Sequence, residues 1–169
     1  MYRHLFLPFC VLATASLLLA ENPMIAEGKA AYETIKTNII KSAEKMPDSA
    51  YGFKATESER SWAELMGHVA DAQTRICSGA TGEMKPANAG KLTAKGDLVN
   101  ALKASFEVCD AAWSSTSEGN AHNAVKMRNR EMTRLGMLIY NTTHDNESYG
   151  TMAVYMRLKG VVPPSSEGH

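Results

Sequence analysis

The sequence predicts an all-α domain, a four-helix bundle behind a short apolar leader. Apolar residues recur at three- and four-residue spacing in four separate windows, and the breaks between the windows carry proline, glycine or a capping serine. No window sustains the alternation of a strand bounded by hairpin turns, which leaves room only for a short strand within a loop. A chain of 169 residues with 44% hydrophobic content is enough for one core and short of two. Acids and bases balance and are spread along the chain, which argues against nucleic acid or an anionic membrane surface as partner.

The leader comes first. Arg3 and His4 precede an apolar run from Leu5 to Leu19, then Ala20 and the polar Glu21-Asn22-Pro23. This is the layout of a signal peptide spanning residues 1–20, with cleavage after Ala20 and a periplasmic or secreted product. The run is broken by Pro8 and falls short of the ~20 apolar residues that span a bilayer, so no stable membrane span is expected after cleavage. Cys10 lacks the small neighbours of a lipid attachment site. Cleavage removes Cys10 and Arg3, leaving one more acid than base, with Cys77 and Cys109 as the remaining cysteines. They pair only if their Cα atoms come within ~7 Å; buried free thiols are the favoured reading.

In the domain, taken as residues 21–164, Asn22 is a cap candidate and Pro23 suits the first helical position. Ile25, Tyr32, Ile35 and Ile39 share a face, and Met46-Pro47 ends the first helix, because a residue before proline is pushed out of the α region. Ser61-Trp62-Ala63-Glu64 has the form of a capping box. The stripe Trp62, Leu65, Met66, Val69, Ala72, Ile76 continues from it, and Gly79 is the expected stop near Cys77 or Ser78. The stretch from Gly79 to Gly96 holds four glycines and a proline and reads as a loop. Leu98, Leu102, Ser105, Phe106, Cys109, Ala112 and Trp113 give a third helix from about Lys95 to Ser115, with Cys109 inward. A fourth is expected from about Arg130 to Lys159, stopped by Gly160 and Pro163-Pro164, with residues 165–169 as a flexible tail.

The sequence has no phosphate-cradling glycine loop, no Cys-x-x-Cys and no nucleophile elbow. Its chemistry therefore rests on histidine. His122 lies in a polar loop and reads as solvated. His68 flanks the second-helix stripe; His144 stands in a row with Met137, Tyr140, Ser148, Thr151 and Tyr155 on the fourth helix. By composition each is more often a hydrogen-bonded boundary residue than a metal ligand.

The segments Trp62-Ala63-Glu64-Leu65-Met66-Gly67-His68-Val69-Ala70-Asp71, Thr133-Arg134-Leu135-Gly136, His144-Asp145-Asn146-Glu147-Ser148-Tyr149-Gly150 and Tyr155-Met156-Arg157-Leu158-Lys159-Gly160 resemble the DinB-like family. The likeness covers essentially the whole mature chain and implies an up-and-down four-helix bundle. It also implies a divalent metal, zinc or nickel, held by three histidines, one from the second helix and two spaced by four on the last. Two of these positions fall on His68 and His144; the third is Ser148, a hydroxyl that binds such ions far less well than imidazole. Asp71, Asp145 and Glu147 are the nearby oxygen donors, with Asp71 also placed to orient His68.

The resemblance thus implies a metal-dependent hydrolase or thiol transferase with a degenerate three-histidine site. The alternative is a non-catalytic bundle that has lost the metal and holds a small molecule between its helices. A haem or metal carrier using His144 and a methionine ranks last, since methionine on an apolar face is usually core. Arg128, Arg130 and Arg134 are assigned no role. Relatives often dimerise, so a homodimer is the implied assembly.

Overall fold

The computed structural model describes residues 22–127 and 130–168. The leader, its cleavage point, Cys10 and Arg128 lie outside the described residues.

Helix α1 spans Pro23–Lys45. The Asn22 side chain accepts the Met24 N–H at 2.9 Å, and Met46 turns extended ahead of Pro47, so both ends fall where capping and proline sterics place them. Helix α2 spans Trp62–Thr81. Its capping box forms in full: the Glu64 N–H donates to Ser61 Oγ at 3.2 Å and the Ser61 N–H to Glu64 Oε2 at 2.6 Å. The helix passes through Gly79 and ends on Gly82, which takes the left-handed φ of +79°. Buried Ala80 extends the face of Ile76 by one more turn, and that packing carries the helix past the first glycine. Helix α3 spans Lys95–Ser114, as expected.

Helix α4 begins later than its periodicity suggests, running Arg134–Leu158 with Thr133 as its cap, Oγ1 accepting the Gly136 N–H at 3.0 Å. Residues 130–133 belong to a strand. Strand β1 (Ala124–Met127) and strand β2 (Arg130–Thr133) form an antiparallel hairpin, with Val125 opposite Met132 and Lys126 opposite Glu131. Four residues per strand are too few to show alternation by themselves. Val125, Met127 and Met132 rest against the main core, and β1 packs on α2.

The four helices share one core, in which Tyr32, Trp62, Phe106, Trp113, Met137 and Tyr155 are almost wholly enclosed. The most extensive helix pairing is α2 with α3. Across that seam Cys77 and Cys109, both fully buried, are joined in a disulfide with Cα atoms 5.0 Å apart. This corrects the reading as free thiols. Both cysteines sit on inward stripes, but the rotation of α2 against α3, which brings the two Cα atoms into bonding range, is set by the whole core.

Residues 165–167, expected as a tail, are strapped onto the bundle. The Ser165 N–H donates to the Tyr149 hydroxyl at 2.9 Å, Arg157 donates to Ser166 Oγ at 3.0 Å, and Lys45 pairs with Glu167. Among the described residues no helix is long and apolar enough to cross a membrane.

Candidate functional site

Helices α2 and α4 bring His68 and His144 together, 76 positions apart in sequence, with Nε2 atoms 3.1 Å apart and ring planes tilted by 52°. At that distance the two nitrogens share one proton: one Nε2–H donates and the other Nε2 accepts. Burial pushes the His68 pKa down, and the positive fields of Arg60, His144 and Arg75 push it further.

The backbone around His68 is held by close packing. A Cβ at Gly67 would stand 2.8 Å from the Ala89 carbonyl and 2.9 Å from Gly90 Cα, so only glycine lets the 89–91 turn lie this close on α2. Asp71 secures the same turn, accepting the Ala89 N–H at 2.7 Å and the Gly90 N–H at 3.1 Å. It therefore serves the loop rather than His68, with which it has no described hydrogen bond.

Behind His144 lies a buried polar row that sequence reasoning missed. Asn141 Nδ2 donates to Gln73 Oε1 at 2.8 Å and to Asp145 Oδ2 at 2.9 Å. Asp145, one of the oxygen donors near the histidines, has no exposed area. Its Oδ1 faces His144 Nδ1 at 3.8 Å, too long for a hydrogen bond, and both atoms are buried without a hydrogen-bond partner. Burial drives the Asp145 pKa up to about 6, against the opposing pull of His144 and Asn141. A signal was present in the sequence: Leu138, Asn141, Asp145, Ser148 and Met152 follow core spacing, so three polar residues occupy inward positions of α4.

The histidine pair separates two cavities. One, of about 410 Å³, has Ala72, Ile76, Met84, Met127 and Tyr140 around it, with Arg75 and Lys126 as its charged groups. The other, of about 120 Å³, is polar and holds Ser148, Glu147, Glu59 and Arg60. Ser148 is thus in the cleft where the resemblance places a third histidine. As a donor set for zinc or nickel, two imidazoles and a hydroxyl do not fit a closed site. Among the described residues no group of three or more histidine, cysteine or carboxylate side chains is arranged to hold a metal ion.

The remaining candidates are structural. His122 is exposed. Arg134 closes the end of α3, donating to Thr116 Oγ1 at 2.9 Å, Ser115 Oγ at 2.6 Å and the Ala112 carbonyl at 3.3 Å. Tyr155 donates to the Arg60 carbonyl at 2.7 Å and anchors the loop that enters α2.

Residues 31–152, which include both histidines and the polar row, match the family model of the DinB superfamily. The chain belongs to the DinB superfamily. Solved structures of similar fold include a DinB-like protein from Bacillus cereus, at 16% identity and TM-score 0.73, covering 83% of this chain and 95% of that one. A second DinB-like protein, from Bacillus subtilis, aligns at 20% identity and TM-score 0.65, covering 82% and 92%. A mycothiol-dependent maleylpyruvate isomerase, solved as a histidine-to-alanine mutant, aligns at 17% identity and TM-score 0.60, covering 72% of this chain and 59% of its own. At these identities the likeness shows the DinB fold alone. No curated protein matches the chain.

Proposed function

We propose that this DinB-superfamily chain is an exported small-molecule-binding bundle, whose ligand sits in the 410 Å³ cavity against the His68–His144 pair. The observation that carries this reading is the cavity itself: mostly apolar walls, two histidines at one side and a volume within the roughly 300–1,000 Å³ typical of ligand sites. Loss of the third imidazole at Ser148 supports binding without a resident metal. Export is supported by the leader-like residues 1–20 and by the Cys77–Cys109 disulfide, since such bonds persist in oxidising compartments.

A second reading is favoured by one observation, the convergence of two Nε2 atoms at 3.1 Å. Here His68 and His144 hold zinc or nickel, and the protein is a metal-dependent hydrolase or thiol transferase. When bound, such an ion would lower the pKa of a coordinated water or thiol.

Metal content of the tag-free protein, with zinc and nickel titration of the apo form, separates the two. The binding reading expects no uptake at micromolar zinc and uptake on Ser148→His. Stoichiometric metal that is lost in His68→Ala would replace it with the metal reading.

A further inference from the structure

We propose that the 410 Å³ cavity is selective for an organic anion, a carboxylate carried on a hydrocarbon chain. The proposal rests on the cavity being a ligand site and adds the class of ligand.

The charges around the cavity have one sign. Among the described residues Arg75 and Lys126 line it and no carboxylate does, whereas the smaller cleft across the histidine pair has Glu59 and Glu147 beside Arg60. An anion in the larger cavity therefore meets only favourable fields from its lining, and a cation only unfavourable ones.

Arg75 has one long ion pair and donors left to serve a ligand. Its nearest acid, Asp71, lies 3.9 Å away, and both Asp71 oxygens already accept backbone N–H groups from the 89–91 turn. The guanidinium thus keeps donors for a carboxylate, which its fork geometry suits. Lys126 pairs with Glu131 at 3.5 Å, but both side chains are well exposed, at 77% and 64%, so this pair is weak and readily exchanged for a ligand.

The rest of the cavity suits the ligand's other end. Ala72, Ile76, Met84 and Met127 offer no charge to solvate, and methionines at two of these positions adapt to a chain of varied shape. His68 and His144 lie with their Nε2 atoms 3.1 Å apart, so each satisfies the other and together they make a polar side to the cavity.

The test is calorimetric titration of the purified chain, disulfide intact, with octanoate, 1-octanol and octylammonium at one pH and ionic strength. The expected order is octanoate tightest, by about tenfold over octanol, with octylammonium weakest. Arg75→Ala should remove most of the octanoate preference and change octanol affinity far less; Lys126→Ala, on an exposed strand position, should weaken octanoate by roughly twofold to threefold. Equal affinity for all three, insensitive to both variants, would overturn the anion proposal and leave the cavity as a ligand site. Failure of all three to bind at millimolar concentration would overturn the cavity reading as well.

Discussion

Asp145→Asn should make the protein more stable at neutral pH. The Asp145 carboxyl is fully buried, one oxygen accepts from Asn141 and the other has no hydrogen-bond partner. Its pKa rises to about 6 in the folded state, against about 4 for an unfolded aspartate. The folded protein therefore holds this proton more tightly than the unfolded chain does. The resulting stability is fully present below pH ~4 and is lost as pH rises through ~6. A gap of about two pH units corresponds to ~3 kcal/mol. Asparagine keeps an oxygen for Asn141 and places an NH₂ group toward His144 Nδ1, so the variant should recover up to ~3 kcal/mol at pH 7 and nothing at pH 4. Burial of His68 acts in the opposite sense. Its pKa is lowered, so its contribution is present above pH ~6.5 and lost as pH falls. The two effects oppose each other in the wild type, so the variant should lose stability toward acid more steeply than the wild type does. Urea denaturation of both proteins at unit pH steps measures this. A variant less stable than wild type at pH 8, with the gap closing toward pH 4, would refute the reasoning and show that the fold stabilises the Asp145 anion.

Three further outcomes follow from the packing. Replacing Cys77 and Cys109 together by alanine opens a link across 32 positions, and chain entropy predicts a loss of about 3–4 kcal/mol by urea denaturation. Equal stability of the two proteins would mean the bond does not form. Gly67→Ala drives a Cβ into the Ala89 carbonyl and should cost about 1–3 kcal/mol, with faster hydrogen exchange at the Ala89 and Gly90 amides as the turn lifts from Asp71. Unchanged exchange there would contradict the close packing. Ser61→Ala removes half of the α2 capping box and should cost about 1 kcal/mol in the same urea assay, while Ser58→Ala, on an exposed loop, should cost nothing measurable.

The division between what was legible in the sequence and what was not follows from the range of the forces involved. The ends of α1 depend on Asn22, Pro23 and Pro47, and the start of α2 on Ser61 and Glu64; these are contacts within four residues, so the chain alone specifies them. The apolar stripes likewise declare four helices and the inward side of each, and short motifs in order declared the DinB superfamily. Other features were decided by neighbours distant in sequence. Burial of Ala80 carried α2 beyond Gly79 to Gly82, and packing of Val125 and Met132 on the core made strands of segments too short to signal them. The rotation of α2 on α3 joined Cys77 to Cys109, and the crossing of α2 and α4 set His68 against His144, with Asp145 enclosed behind them. Residue types along one helix fix which face turns inward, but distances between helices come from the filling of a shared core. For this protein that filling alone decided which groups meet at the candidate site.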